Sequence, residues 1–452
     1  MNQRLTVLFT NIALSVPAGS EVVLRDLAHG LLRRGHRPIV YSPTGGDFAE
    51  EIAARGVPVI NDLRRLREKP NIIHGQHSIP CGEALIQFPD VPAIFVCHAF
   101  NHWVEAPIHF PQIGLYVAVD EACRDRLVHA EGIDPNNVVT LHNAVDLLRI
   151  PPRPEPLKKP PQRALAFGKA ASVPELWTAC EKLGLELDAI GGSKGGIHKF
   201  PEQELVKYDV VFASARAALE AMCCGCAVIA CDFRGLAGAV TTENFEPLRT
   251  KNFGLRSLVH PITAERLIEE ILRYDPDDAA RVSARARKEA DLEKLLDRFE
   301  QLYNEVLNGR RKPSITAAAR KTAEARFLHE NLPRRPDDRR WPWLAEREKF
   351  QRDSERLAKN VEVAKVRLTA VQAKLDDKNR NLDRVRLERD KANREIIALN
   401  AQVAALNAQV AALNAQVAAL TGEVTTLSAI VSSVPRLLGH LWKLTTGRSR
   451  RL

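Results

Sequence analysis

Two charged side chains, Arg216 and Glu220, lie where a parallel sheet would present them to a ligand. They are four residues apart in a predicted helix, and this spacing puts them on one helix face. The helix would begin where a buried strand ends, so the free N–H groups of its first turn would face the binding crevice. A guanidinium there suits a diphosphate, and a carboxylate one turn deeper suits the paired hydroxyls of a ribose. The alternative is a surface ion pair between residues i and i+4.

The elements that would position this helix are contained in residues 209–232. Residues 210–212 form a short apolar strand, small residues form a tight turn, and the helix starts near Ala217. Gly225 ends the helix, and a second apolar run over residues 226–231 returns the chain to the sheet. Two strands joined by one helix through loops of a few residues predict a βαβ unit of a parallel sheet.

The N-terminal part of the chain repeats this pattern. A buried strand within residues 5–14 precedes the loop SVPAGSE, a helix that ends at Gly35, and a strand over residues 36–41. This order is typical of a doubly wound domain. Gly19 lies in the loop, where a backbone without a Cβ would let a phosphate or sugar approach the helix N-terminus. A later strand ends in His98, whose neutral imidazole could bind a sugar hydroxyl or a developing charge. A purely structural histidine is the alternative.

The charge of the chain is divided unevenly along its 452 residues. Residues 1–309 carry 35 basic and 40 acidic side chains, whereas residues 310–452 carry 30 and 16. The basic charge therefore describes a partner of the tail rather than of the predicted pocket. An anionic membrane surface is the favoured partner. Nucleic acid is not, because the sequence has no basic–aromatic interleaving and no finger spacing.

The cysteines and the N-terminus indicate the compartment. Eight cysteines lie in apolar runs, and the pair Cys223 and Cys226 has no second pair or histidine at zinc spacing. We expect buried thiols in a reduced, cytoplasmic protein. The apolar run Leu5–Phe9 is too short for a signal peptide, and no segment reaches the ~18 apolar residues of a membrane span. The predicted location is cytoplasmic, with peripheral binding to the inner face of the cell membrane through the tail.

Several segments resemble retaining glycosyltransferases of the GT-B fold, of the family-4 type that includes many bacterial polysaccharide enzymes. LEAMCCGCAVIACD is similar to the family's LEAMA-x-G-x-PVV, and the resemblance implies that Glu220 binds the nucleotide ribose. RALAFGKA is similar to Phe-x-Gly-Arg, which implies that Gly168 and Lys169 lie against the donor diphosphate. The histidine that matches His98 lines the active-site cleft in the family. The resemblance covers residues 1–309.

Some positions depart from the family pattern. Phe212 stands where a second glutamate usually meets the donor sugar, and ASAR replaces a Gly-Phe-Gly turn. Pro174 replaces a lysine five residues after Lys169, so Arg216 is expected to complete the diphosphate clamp. The cleft-forming segments contain no Asp-x-Asp metal motif, and we expect transfer without a metal. No cofactor is expected, since the nucleotide-sugar is a substrate, and the resemblance implies retaining stereochemistry.

Five segments are predicted. They are an N-terminal Rossmann-like acceptor domain (1–150), a Rossmann-like nucleotide-sugar domain (151–309), a basic linker (310–345), a coiled coil (346–431) and a basic amphipathic tail (432–452). In the coiled coil, β-branched residues at a and leucine at d alternate over residues 396–431, a pattern that favours a parallel homodimer. Trp442 and the arginines after it suit an anionic bilayer interface.

The leading hypothesis is a bacterial glycosyltransferase that moves a sugar from a nucleotide-sugar donor to a growing surface polysaccharide or lipid-linked glycan. One alternative is a catalytically degenerate scaffold of the same fold, which binds a glycan or nucleotide and oligomerises through its coiled coil. Another is a nucleotide-sugar epimerase, which would need acid/base carboxylates that the sequence does not place. Turnover of the donor separates the three, because it would give a transferred sugar, no reaction or an epimerised donor, respectively.

Overall fold

The computed structural model describes residues 4–191, 201–309, 311–313, 315–331, 395–398, 400–411 and 414. The described residues up to Phe327 form one compact unit, which contains two β-sheets.

The first sheet has seven strands, and all of its pairings are parallel. The strands are β1 (Thr6–Thr10), β2 (Arg37–Tyr41), β3 (Val59–Ile60), β4 (Ile72–Gly75), β5 (Ala93–Cys97), β6 (Ile113–Ala118) and β7 (Val138–Thr140). Their order across the sheet is β3-β2-β1-β4-β5-β6-β7. The order reverses between β1 and β4, which is where a doubly wound sheet opens its binding crevice.

Helices cover this sheet. They are α1 (Gly19–Arg33), α2 (Asp47–Ala54), α3 (Ser78–Gln87) and the short α4 (Glu121–Asp125). In α1, Leu24, Leu27 and Leu31 follow helical spacing and are buried in the core. Asp26 is also buried, although it is not part of this apolar stripe.

The second sheet has five strands: β8 (Arg163–Phe167), β9 (Glu186–Ile190), β10 (Val210–Ala213), β11 (Ala227–Asp232) and β12 (Gly235–Ala239). Their order is β12-β11-β10-β8-β9, and only β12 runs antiparallel to its neighbour. The helices of this part are α5 (Pro174–Leu183), α6 (Pro201–Leu205), α7 (Ala215–Cys223), α8 (Phe245–Thr250), α9 (Ala264–Leu272) and α10 (Pro276–Glu289). The strand order reverses between β8 and β10, so the second crevice is expected there.

Two further helices, α11 (Leu292–Leu307) and α12 (Ala317–Asn331), follow the second sheet. The buried face of α11 belongs to the core of the first sheet, and Leu296 packs so closely on α1 that a Cβ at Gly30 would lie 2.5 Å from its Cδ1. α12 lies in the predicted basic linker. It contacts the first domain through Phe327, whose ring would be 2.3 Å from a Cβ at Gly82. The ring of Phe327 over Gly82 is one of the contacts that hold this helix, and such a contact leaves no periodic pattern in the sequence.

The predicted α/β fold with parallel sheets is confirmed. The predicted strand, helix and strand within residues 209–232 are β10, α7 and β11, with ends shifted by at most two residues. The exact domain boundaries stay a prediction. In the tail, residues 395–398 and 400–411 are helical, and the coiled coil stays a prediction because the rest of 346–431 and all of 432–452 lie outside the described residues. Within the described part of the chain, no helix is both long and apolar enough to cross a bilayer.

Candidate active site

Each sheet has one edge where a ligand is expected, at the carboxyl ends of the strands beside the reversal of strand order. Gly19 begins α1 after β1, and Gly168 and Lys169 follow β8. Arg216 and Glu220 lie in α7, directly after β10. His98 follows β5, two strands from the reversal in the first sheet.

His98 is held by two polar contacts. Its backbone N–H donates to Oε2 of Glu105 at 2.9 Å, and its Nε2 lies 2.9 Å from Oε1 of Gln76. With the amide oxygen as acceptor, Nε2 carries the proton and Nδ1 is the acceptor. Burial lowers the pKa of His98, and His77 and Arg216 lower it further, which outweighs the opposite effect of Glu105. The imidazole is therefore neutral at pH 7 and able to accept a proton.

His77 joins three elements beside His98. It precedes α3 with a φ of 62°, a left-handed conformation that is uncommon outside glycine. Its Nδ1 accepts from the N–H of Ile12 at 3.1 Å, and its Nε2 lies 3.3 Å from Oε1 of Glu105 and 3.4 Å from Oγ of Ser20. Burial opposes ionisation of Glu105, but the hydrogen bond from His77 and the nearby imidazoles hold its pKa below the usual value. Glu105 thus fixes both histidines.

His74, in β4, has a structural role. Its Nδ1 lies 2.7 Å from the hydroxyl of Tyr303 on α11, and both side chains are buried. Burial lowers the pKa of His74 to about 3, with a smaller contribution from His98. The contact attaches α11 to the first sheet, which accounts for a polar side chain inside a buried strand.

The start of α1 is open to solvent at Gly19. A Cβ built at this glycine would meet no atom within 4 Å, and the helix has no side-chain hydrogen bond at its N-cap. The first-turn N–H groups therefore lack a capping side chain, and an approaching group would meet no steric barrier from the protein itself.

Gly168 and Lys169 form the turn after β8. Gly168 has a φ of +63°, which favours glycine, and a Cβ at Gly191 would lie 3.1 Å from the Cα of Gly168. Two glycine turns thus touch at the ends of β8 and β9, next to Ala217 of α7. Lys169 is exposed, and its pKa is lowered by partial desolvation and by the positive charge of Arg234.

Arg216 and Glu220 are buried in an ionic cluster rather than open to solvent. The Nε of Arg216 donates to Oε1 of Glu220 at 3.1 Å, as the i,i+4 spacing allows, and its Nη1 donates to the carbonyl of Ala144 at 2.9 Å. Its Nη2 forms an ion pair with Asp26 of α1. Glu220 also contacts Nη2 of Arg149 at 3.3 Å. The second domain is thereby joined to the first through α7 and α1.

Asp26 is the centre of this cluster, and its side chain is only 2% exposed. Arg25 donates to its Oδ1 from Nε at 3.0 Å, and Nη2 of Arg149 lies 3.6 Å from its Oδ2. Burial raises the pKa of Asp26, but Arg216, Arg25 and Arg149 outweigh burial and lower the pKa to about 2. The carboxylate is thus ionised over the whole physiological range.

The predicted residues with ionisable side chains fall into three groups. His98 lies in a polar cluster at the edge of the first sheet, Lys169 is exposed at the edge of the second, and Arg216 and Glu220 lie in the ionic cluster between the domains. Arg216 is close enough to His98 to lower its pKa, so the first and third groups are neighbours. Sequence reasoning did not find Asp26. Its one signal is an acidic residue on a helix that is rich in leucine and valine, which is too common a pattern to single it out.

One comparison with known proteins, the match to a family model, agrees with the resemblance. Residues 17–149 match the family model described as Glycosyltransferase Family 4, and no curated protein matches the chain significantly. A glycosyltransferase from Rickettsia africae ESF-5 is 14% identical, with a TM-score of 0.48 over 68% of this chain and 99% of its own. Anabaena HepE, solved in complex with UDP and glucose, is 15% identical, with a TM-score of 0.48 over 66% of this chain and 99% of its own.

Proposed function

We propose that the protein is a glycosyltransferase that moves a sugar from a nucleotide-sugar donor to a growing bacterial surface polysaccharide or lipid-linked glycan. The observation that carries the proposal is the pairing of two doubly wound sheets in one compact unit, with polar groups at the carboxyl ends of both. The match of residues 17–149 to Glycosyltransferase Family 4 supports the same reaction class.

The second domain would bind the donor. Lys169 is exposed beside the N-terminus of α7, whose first-turn N–H groups suit a diphosphate. Glu220 would accept hydrogen bonds from the ribose hydroxyls and would lose part of its contact with Arg149. The absence of a Cβ at Gly168 and Gly191 would let a phosphate approach the backbone of these two turns.

The first domain would bind the acceptor and supply His98. Its neutral imidazole, with Nε2 held by Gln76, could accept a hydrogen bond from a sugar hydroxyl at Nδ1. The leaving diphosphate would be stabilised by fixed cations and helix N–H groups. The proposal includes transfer without a metal and with retained anomeric configuration, and proton NMR of the product would test the latter.

The proposed reaction is tested by incubating the full-length protein with labelled UDP-, GDP-, ADP- and dTDP-sugars and a lipid extract. Movement of label into lipid or polymer supports it. Release of free sugar alone would show activation of the donor with water as acceptor. Label that stays in every donor would contradict it.

A non-catalytic scaffold is the second candidate, and the ionic cluster favours it. Arg216 and Glu220 already have protein partners of opposite charge, namely Asp26 and Arg149. A cleft closed by such contacts would hold the domains together without a donor. The labelled-sugar assay separates the candidates, because a scaffold of this kind would leave the nucleotide-sugars chemically unchanged whether or not it binds them.

The tail would bring the enzyme to its acceptor. Its basic charge and Trp442 suit an anionic bilayer, and its heptads would pair two copies of the chain. We therefore propose a cytoplasmic homodimer that binds the inner face of the membrane peripherally. Two weak tail contacts would act together in such a dimer.

A further inference from the structure

The contacts of Arg216 make it poorly suited to be the second cation of the proposed diphosphate site. Each end of its guanidinium already has a partner, through Asp26, Glu220 and the carbonyl of Ala144. Moving Arg216 onto a phosphate would leave the carboxylate of Asp26 buried without its closest counter-charge, which is costly. A diphosphate at the end of β8 would then meet Lys169 as the single side-chain cation from the predicted set.

Arg234 lies on the other side of the same crevice. β8 and β11 both pair with β10 in parallel, so their carboxyl ends lie at one edge of the sheet. Lys169 comes two residues after β8, and Arg234 comes two residues after β11. Two strand spacings separate those strands by about 10 Å, with the start of α7 between them. The turn that contains Lys169 also packs directly against β11.

The guanidinium of Arg234 is fixed in place but still reaches solvent. Its Nε donates to Oδ1 of Asp232 at 3.0 Å, and its Nη2 donates to Oδ2 at 2.6 Å. Asp232 is fully buried, and Oγ of Ser214 donates to its Oδ2 at 2.6 Å. The side chain of Arg234 remains 26% exposed, and Nη1 stays outside the pair with Asp232. An arginine held in this way loses little conformational entropy on binding an anion.

The charges at this edge are not balanced. Asp232 forms an ion pair with Arg234. Among the described residues, no salt bridge pairs Lys169 with an acid. The pKa of Lys169 is lowered by partial desolvation first and then by repulsion from Arg234, and Asp232 has the opposite effect. Ser214, the N-cap residue of α7, gives its hydroxyl to Asp232 instead of capping the helix. An anion would balance the remaining positive charge and could contact both cations.

We propose that Arg234, together with Lys169, binds the diphosphate of the donor, and that Arg216 serves to join the two domains through Asp26. This inference rests on the proposed function for the identity of the ligand as a nucleoside diphosphate. The assignment of the two cations to one anion site rests on the geometry of β8, β10 and β11 alone.

The test is calorimetric binding of inorganic pyrophosphate, of UDP, GDP, ADP and dTDP, and of the corresponding nucleosides to the full-length protein. Arg234→Gln and Lys169→Gln should each weaken binding of pyrophosphate and of the bound nucleoside diphosphate about tenfold or more, with little effect on the nucleoside. Arg281→Gln is the matched control, because Arg281 also pairs with an aspartate close in sequence but is 61% exposed on α10. It should leave all affinities unchanged.

The outcomes separate this inference from the proposed function. A nucleoside diphosphate that binds wild type and Arg234→Gln equally well overturns the inference and leaves the function standing. Pyrophosphate binding that depends on Arg234, without binding of any nucleotide, supports the anion site and contradicts the function. An equal loss for nucleoside and diphosphate would make Arg234 structural. Arg234→Lys, which keeps the charge, should retain part of the affinity for pyrophosphate, and a complete loss in this folded variant would also overturn the inference.

Discussion

The ionic cluster around Asp26 should determine how firmly the two domains are held together. Asp26→Asn removes the negative charge that Arg216, Arg25 and Arg149 share, and it leaves these guanidiniums facing a neutral amide. Removing one member of a buried ionic network costs about 3–5 kcal/mol. The pKa of Asp26 gives a consistent lower figure, because a fall from 3.8 to about 2 corresponds to roughly 2–2.5 kcal/mol of stabilisation by ionisation.

Urea unfolding of the full-length protein at pH 7, followed by tryptophan fluorescence, would measure this loss. With a slope of about 3 kcal/mol per molar urea, a loss of about 3–5 kcal/mol should lower the midpoint of Asp26→Asn by about 1–1.7 M. Asp90→Asn is the control, because Asp90 contacts Lys69 and Arg320 at 3.5 Å but is 68% exposed. The free energy of unfolding of Asp90→Asn should fall by less than about 1 kcal/mol. Equal midpoints for wild type and Asp26→Asn would refute a stabilising role for the cluster.

The pH dependence of the free energy of unfolding also tests the role of the Asp26 charge. The folded-state pKa of Asp26 lies below its unfolded value, so its contribution is fully present above about pH 4 and is lost as the pH falls towards 2. The difference in stability between wild type and Asp26→Asn should therefore shrink over that window. A difference that stays constant from pH 5 to pH 2 would show that the substitution acts through packing rather than charge.

Three further predictions concern other parts of the chain. Glu220→Ala should weaken nucleotide-sugar binding by about 1.5–3 kcal/mol, and an unchanged affinity by calorimetry in a folded variant would rule out its ribose role. Gly82→Ala should lower the urea midpoint because its Cβ would overlap the ring of Phe327, and the double variant with Phe327→Leu should recover part of the loss. Truncation at about Arg340 should give a monomer by light scattering that keeps nucleotide binding but no longer floats with anionic liposomes, whereas a monomeric full-length protein would contradict the pairing of residues 396–431.

The fold was predictable because its signals are local. Apolar runs of strand length, separated by amphipathic helices and glycine turns, occur in both halves, and each is set by residues close in sequence. Helix α7 is an example, because Gly225 follows it with a φ of +89° and ends it. The attachment of α11 to the first sheet was not predictable, since it depends on contacts such as the one between His74 and Tyr303, 229 residues apart.

The site was predictable only in part. The position of Lys169 follows from the end of its strand, and the structure places it at the expected edge. The environment of Arg216 does not follow, because the carboxylate that binds it comes from Asp26, 190 residues earlier. Helical spacing correctly puts Arg216 beside Glu220, but it does not indicate which residues of other elements contact the pair. Arg234 belongs to no motif in the sequence. Its position at the ligand edge of the sheet follows from the parallel pairing of β11 with β10.

Sugar transfer by the wild-type protein is the most direct test of the proposed function. Full-length protein would be incubated with labelled nucleotide-sugars and lipid extract, beside His98→Ala and the control His129→Ala, whose imidazole is 77% exposed. We expect wild type and His129→Ala to move label into the acceptor at equal rates, and His98→Ala to be slower by about 10²-fold or more. Binding of a nucleotide-sugar without any turnover by wild type would contradict the proposal and leave the scaffold as the function of this fold.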